Sequence, residues 1–345
     1  MKTESRPVEV SVIIPAYGRP LYLRELLSSI LAEGTASLEV LVIDDGSPQD
    51  IASAIADEFC DAPVTFVRQA NAGVAAARNA GAALATGEFL LFVDDDDLVP
   101  AGSIRWRTEF LQSSPQYSAV SGRCDFIRDG LVVETEPVRW RGALTHWDTL
   151  IHNRFYSPGQ VLFRRSAFER TEGCRLDCIG SDDWALWNDL TRIAPIFCDA
   201  RIALGYRMHG GNFSRNIATM CYGAERVADA AIATLCSRHS AVANALATGF
   251  VSSVYAPKLA RAMRGALQAR AWDASSEIAV ASARLYGRTL ATRVGRKMAL
   301  VRHHGRWRMG ADEMEMLGRG CADCAALGHG DIHLHQQASP MHVTT

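Results

Sequence analysis

Four consecutive carboxylates, Asp94-Asp95-Asp96-Asp97, stand directly behind an apolar run from Phe89 to Val93. Like charges this close raise one another's pKa, so the cluster is costly unless a cation neutralises it. Hard divalent ions such as Mg²⁺ or Mn²⁺ take oxygen ligands, typically one or two carboxylates together with the phosphates of a substrate. A strand ending in carboxylates therefore points to a metal–diphosphate site at the carboxyl edge of an α/β sheet, where open sheets of that class bind ligands. The competing reading is a solvated acidic turn in which Asp97 caps a helix with Pro100 in its first turn.

The elements that would position this cluster follow from periodicity. Val8 to Ile14, Leu38 to Ile43, Val64 to Val67 and Glu88 to Val93 are apolar or β-branched runs of strand length. Between the first two, Leu23, Leu26, Leu27 and Ile30 keep the spacing of one buried helix face, with Pro20 in the first turn. Ser47-Pro48-Gln49-Asp50 reads as a helix start capped by Ser47, and Val74 to Thr86 as an alanine-rich helix closed by Gly87. Alternating strands and helices imply right-handed crossovers and a parallel sheet, that is, an α/β fold. Further on, Ala119 to Ile127 and Leu131 to Val133 form a hairpin about Arg128-Asp129-Gly130. Residues 134–158 read as an irregular loop rich in aromatics, for binding or for core packing, before a strand at Val161 to Phe163.

A dinucleotide-binding fold would need Gly-x-Gly-x-x-Gly straight after the first strand. That turn is Pro15-Ala16-Tyr17-Gly18-Arg19, with a single glycine. The motif fails at its defining position.

Bulk composition narrows the class further. The chain has 345 residues, 48% of them hydrophobic and 21% charged, with a formal net charge of −2. These are ordinary values for a globular protein and give no reason to expect a nucleic-acid partner. Nine scattered cysteines fit a reducing compartment better than a disulfide framework. Met1 to Glu9 lacks the apolar core of a secretory signal, and no run approaches 18 apolar residues. The expected location is the cytoplasm.

Several motifs in register now carry a resemblance. Val12 to Tyr17, Val42 to Ser47, Asn71-Ala72-Gly73, Ala77-Arg78-Asn79, Thr86-Gly87-Glu88 and Phe92 to Asp97 with Pro100 resemble the family 2 glycosyltransferases in order and spacing. The resemblance covers about residues 8–215 and implies a GT-A fold, a mixed, mostly parallel sheet flanked by helices. It also implies an inverting, metal-dependent transfer from a nucleotide-diphospho sugar, with uridine the expected nucleoside. On that pattern Asp45 accepts the imide N–H of the base, Tyr17 packs against it, and Pro15 and Ala16 shape the pocket. Asp44 serves local backbone amides. Arg78 either meets the diphosphate or braces the acidic edge. Asp94 and Asp96 take the outer positions of the family's Asp-x-Asp; Asp95, where a small residue is usual, leaves the division between metal and nucleotide open.

Gly180 to Trp187 resembles the family's Glu-Asp-Trp/Tyr-x-Leu-Trp, with Asp182 in the glutamate's place. Asp183 then matches the general base that takes a proton from the acceptor hydroxyl, with Asp182 orienting acceptor or base. Two aspartates capping a helix from Trp184 to Ile193 are sensible chemistry too, and both roles can coexist at a helix amino end; the matching neighbours favour Asp183 as the base. Tyr206 to Ser214 resembles Tyr-Arg-x-His-x-x-Asn-x-Ser, which places His209 on the metal or the departing diphosphate. The implied cofactor is Mn²⁺ or Mg²⁺, and the acceptor a glycan, lipid-linked or protein hydroxyl. Nucleotidyl transfer, or a degenerate sugar-nucleotide-binding protein, are the rival readings.

Residues 1–7 read as a tail, 8–216 as the catalytic domain, 217–310 as a helical basic region and 311–345 as a flexible tail. From Lys258 to Arg308 there are twelve Lys or Arg against Asp273 and Glu277. This asymmetry suits peripheral attachment to an anionic membrane face or a solvated surface. Cys321, Cys324, His329, His333 and His335 could bind zinc, but their glycine-rich setting favours a tail.

Overall fold

The computed structural model describes residues 8–33, 37–150, 153–233, 237–268 and 272–291. The Cys321–His335 group, His152, and the part of the basic stretch beyond residue 291 lie outside them. The chain divides into two compact units: Met1–Thr149 with Asn153–Val227, and Leu150–His152 with Ala228–Thr345.

The first unit is built on β1 (Val10–Ala16), β2 (Leu38–Asp44), β3 (Val64–Arg68) and β4 (Phe89–Phe92). They pair in parallel in the order β3-β2-β1-β4, with α1 (Pro20–Leu31), α2 (Ile51–Ile55) and α3 (Val74–Leu84) as the crossovers. Alternation along β1 loads both faces. Val10, Val12 and Ile14 pack with Leu23, Leu26, Leu27 and Ile30 of α1, while Ile13 joins Leu41, Ile43, Leu90 and Phe92 on the other face with Ala75 and Ala77 of α3. A parallel sheet covered on both sides needs such continuous apolar strands. The chain runs outward from β1 to β3 and returns to β4 on the opposite side of β1, so a topological switch point lies between β1 and β4. Register aligns the carboxyl ends there, Ala16 against Asp44 and Ile13 against Phe92.

Beyond β4 the sheet turns mixed. β8 (Val161–Arg164) runs antiparallel to β4 and to β5 (Ala119–Arg128); β9 (Ile196–Arg207) lies parallel to β5, and β7 (Gly142–Leu144) closes the edge. β6 (Leu131–Thr135) hangs from β5 through Asp129 at φ 50° and Gly130 at φ 78°, two consecutive left-handed residues as a tight hairpin requires. α4 (Ser103–Ser113) precedes β5, α6 (Arg165–Phe168) follows β8, and α7 (Asp182–Ile193) buries Leu186, Trp187 and Leu190 in the second core face.

Three expectations need correction. The second helix is capped by Asp50, which accepts from Ala52 N–H at 3.0 Å, while Ser47 Oγ instead accepts from Gly18 N–H at 2.9 Å. The helix after Pro100 starts only at Ser103, behind Gly102, so Asp97 does not cap it. The stretch 134–158 contains β7, the short helix α5 (His146–Leu150) and a 3-10 turn at Pro158–Gln160. His146 there is buried, with its imidazole pushed down to about 4 by burial, and is bonded to the Asn188 carbonyl; it belongs to the core.

Helix α8 (Ile217–Ala233) crosses from the first unit's residues into the second's. The second unit contains α9 (Ser237–Gln268), continuous through Pro257, and α10 (Trp272–Ala291), with Val251, Tyr255, Leu259, Ile278 and Leu285 buried. Among the described residues no helix is long and apolar enough to cross a membrane.

Candidate active site

The carboxyl ends of β1, β2 and β4 bring Tyr17, Asp45 and Asp94 to one edge of the sheet. Asp44 accepts from Ser47 N–H at 2.9 Å and from Arg68 Nη1 at 2.8 Å, a local brace. Asp45 is buried too, and it organises the loop before α3. Its Oδ1 accepts from Gln69 Nε2 and Ala72 N–H and its Oδ2 from Gly73 N–H, each at 2.8 Å. Gly73 sits at φ 91°, a conformation open to glycine. Oδ2 thus keeps a lone pair beyond the loop's own bond. Pro15 and Ala16 are strand residues packed beneath this edge, and Ala16 C=O accepts from Asp45 N–H at 3.0 Å. Tyr17 is 49% exposed, a large ring left in solvent just after β1.

The four consecutive carboxylates are held by four different parts of the chain. Asp94 pairs with Arg78 at 2.6 Å. Asp95 is buried, accepts from Tyr17 N–H at 3.1 Å and pairs with Arg19 at 2.6 Å. Asp96 Oδ2 faces His209 Nε2 at 2.9 Å and also meets the Arg19 guanidinium. Asp97, fully buried, accepts from Ser157 Oγ at 2.7 Å and from Arg207 N–H at 3.1 Å. Burial pushes the Asp95 carboxyl up to about 7; Arg19 pulls the other way and Asp96 adds to the rise. Asp97 is driven well up by burial, with Asp94 and Asp96 contributing.

Arg78 is 4% exposed and reaches in two directions, to Asp94 and, at 2.5 Å, to Asp182. Burial alone would lower its pKa, but Asp182 and Asp94 outweigh that and hold it charged. It therefore braces the acidic edge from below. Asp182 is spent on this ion pair rather than on capping α7, whose N-cap residue is Ser181 with no side-chain bond. Asp183 beside it is left half-buried, with Oδ1 accepting from Trp184 N–H at 2.6 Å. Burial first, then Asp182, lift its carboxyl to about 7 against the opposing pull of Arg78. A carboxylate poised near neutrality is what proton abstraction from a hydroxyl requires.

His209 is aimed by its surroundings. Its ring lies 5.0 Å from that of Tyr22, and Arg207 stacks over Tyr22 at 4.5 Å. Gly211 N–H donates to Nδ1 at 3.1 Å and Nε2 lies 2.9 Å from Asp96 Oδ2, so the ring is held between the two. Among the described residues no three His, Cys, Asp or Glu side chains form a ready-made metal cage. Asp96 and His209 nonetheless offer two adjacent ligand atoms, and the cluster already accommodates positive charge in the form of Arg19. That suits an ion whose remaining ligands come from a substrate diphosphate. Arg19, Ser157, Arg207 and Tyr22 were not among the residues singled out for the site. Arg19 and Arg207 fall inside quoted motifs, but nothing local shows that they reach back across 77 and 110 residues to Asp96 and Asp97.

Residues 11–171 match glycosyl transferase family 2. That segment of the chain is similar to the family 2 glycosyltransferases. The uncharacterized glycosyltransferase EpsJ of Bacillus subtilis is 34% identical over 172 residues, covering 47% of this chain and 49% of that protein. The match spans 55% and 49% of the length of two curated relatives and 18% of a third. Among solved structures, S. aureus TarS 1-349 in complex with UDP-GlcNAc superposes with a TM-score of 0.61 at 17% identity, over 88% of this chain and 93% of that one. The mannosyltransferase PcManGT from Pyrobaculum calidifontis, in complex with GDP-Man and Mn²⁺, gives 0.50 at 20% identity, over 81% and 88%. These likenesses establish the fold. The mixed sheet with flanking helices has the GT-A fold of these neighbours.

Proposed function

We propose that the protein transfers a sugar from a nucleotide-diphospho donor, of the uridine class, to an acceptor hydroxyl with inversion at the anomeric carbon. The observation that carries this reading is the bonded chain Asp182–Arg78–Asp94, which ties the start of α7, where Asp183 stands, to the acidic loop after β4. Base and leaving-group site are thereby fixed to one another through a buried guanidinium. Asp183 takes the proton of the acceptor hydroxyl as its oxygen forms a bond to the anomeric carbon. The bond from that carbon to the diphosphate oxygen breaks, and its electron pair leaves with the nucleoside diphosphate. Asp45, through the free lone pair on Oδ2, accepts the imide N–H of the base, and Tyr17 covers the ring. Asp96, His209 and Asp94 would hold Mn²⁺ or Mg²⁺, which neutralises the charge developing on the leaving group.

The nucleoside is tested by calorimetric titration with UDP and with GDP, with and without EDTA. We expect UDP to bind the more tightly, EDTA to weaken it, and Asp45→Ala and Asp96→Asn each to abolish it. Tighter binding of GDP would overturn the base assignment, and EDTA-insensitive binding the metal. Release of nucleoside diphosphate on adding a glycan acceptor would identify transfer; release of pyrophosphate would identify nucleotidyl transfer instead.

A further inference from the structure

Arg19 stands in the turn between β1 and α1, immediately before Pro20. Its guanidinium lies across two neighbouring carboxylates, with Nη2 2.6 Å from Asp95 Oδ1 and Nη1 on Asp96 Oδ2. The exposures define a direction of approach. The Arg19 side chain is 35% exposed, whereas those of Asp95 and Asp96 are 1% and 9% exposed. The cation is therefore the solvent-facing partner of these carboxylates, whereas Arg78, 4% exposed, holds Asp94 from the interior. The oxygen that Arg19 occupies on Asp96 is also the one that faces His209 Nε2. A metal ligated by Asp96 and His209 must take that oxygen from Arg19.

We infer that Arg19 is the resident counter-cation of the donor-free site, and that a divalent ion displaces it only when a nucleoside diphosphate arrives to receive the freed guanidinium. This rests on the metal-dependent reading given above. A metal ion coming alone has to break a charge-assisted ion pair and then sit beside a guanidinium that never deprotonates. With a diphosphate present, the displaced Arg19 gains phosphate oxygens that match its fork of donors. The neighbouring guanidiniums are already committed: Arg68 to Asp44 and the Ser47 carbonyl, Arg78 to Asp94 and Asp182, Arg207 to Glu25. Metal and diphosphate consequently bind as a cooperative pair, and the cooperativity is the same from either side.

The test is equilibrium binding of Mn²⁺, read as free ion by electron paramagnetic resonance, to wild type, Arg19→Gln and Arg19→Lys, each confirmed as folded by circular dichroism. Each protein is titrated with Mn²⁺ alone, then with saturating UDP, and in parallel with GDP. Wild type should bind Mn²⁺ weakly alone and roughly 5- to 150-fold more tightly with the nucleotide. Arg19→Gln should bind Mn²⁺ alone about tenfold or more tightly than wild type, the size of one lost charged competitor, and its gain on adding nucleotide should shrink accordingly. Arg19→Lys, which keeps a charge but not the fork, should fall between. Equal Mn²⁺ affinity and equal coupling in wild type and Arg19→Gln, or weaker Mn²⁺ binding by the variant, would overturn the inference while leaving the metal reading intact. No Mn²⁺ binding by either protein with either nucleotide would overturn both.

Discussion

The pH dependence of transfer tests the assignment of Asp183 most directly. Its carboxyl, ordinarily near 3.8, is lifted to about 7 by burial and by Asp182, against the pull of Arg78. A base must be ionised to act, so the ionised fraction falls from about 0.9 at pH 8 to about 0.01 at pH 5. The value of kcat/KM should then drop about 90-fold over that interval, with unit slope below pH 7. A carboxylate of ordinary pKa would lose only about 6% over the same range. Burial also pushes the Asp95 carboxyl up to about 7, beside Asp96, so the profile is to be recorded for Asp95→Asn as well. The acidic limb should survive in that variant and vanish in Asp183→Asn, whose residual rate should be about 10²- to 10⁴-fold lower. Stability gives a second readout with its own sign. A folded-state pKa raised above the unfolded value contributes stability below about pH 4 that is lost as pH rises through 7. At pH 8 the wild type therefore bears the burial cost, and Asp183→Asn should be more stable by at least about 1 kcal/mol. A flat profile between pH 5 and 8, or a limb that disappears with Asp95→Asn, would refute the assignment.

Two further substitutions test the scaffold. Arg78→Met removes the shared partner of Asp94 and Asp182 and strands the latter's buried charge; urea unfolding should show a loss of about 3–5 kcal/mol. Gly81 lies where α3 meets β1, and an added Cβ would come 2.4 Å from Ile13 Cγ2 and 3.2 Å from Ile43 Cγ1. Gly81→Ala should therefore cost about 1–3 kcal/mol in the same assay despite alanine's better helix propensity; a stabilised variant would show that α3 can move away from the sheet.

The parallel half of the sheet was legible because its strands are continuous apolar runs and its helices keep a clean 3.6 period. β9 was not. Its twelve residues, Ile196–Arg207, carry Asp199, Arg201 and Arg207, and its pairing with β5 slips register twice, so no alternation survives to be read. β7 and α5 are too short, at three and five residues, to show a period inside an aromatic-rich loop. The cap of α2 was misassigned because Ser47, Pro48 and Asp50 all suit a helix start. Only the tertiary structure shows Ser47 turned toward Gly18, leaving Asp50 to accept from the helix. Asp97 failed for the same reason: its partners, Ser157 and Arg207, lie 60 and 110 residues away.

Those distant partners explain how four adjacent aspartates can differ in role. Identical side chains on consecutive residues of one loop would share similar environments if the loop were solvated. Here each has its own set of partners: Asp94 α3, Asp95 the turn after β1, Asp96 that same turn together with the segment after β9, and Asp97 Ser157 and the end of β9. Asp97, fully buried and held by the Ser157 hydroxyl and the Arg207 N–H, has its carboxyl driven well up by burial, with Asp94 and Asp96 adding to the rise. Arg78 and Arg19 offset Asp94, Asp95 and Asp96 from below and above. The same contacts close the unit: β1, β9, α3 and the Ser157 turn all meet at this loop, so the chemistry and the long-range stability of the sheet depend on the same carboxylates. Substitutions here will change binding and fold together unless they preserve hydrogen-bonding capacity, which is why aspartate-to-asparagine changes are the informative ones at Asp95 and Asp183.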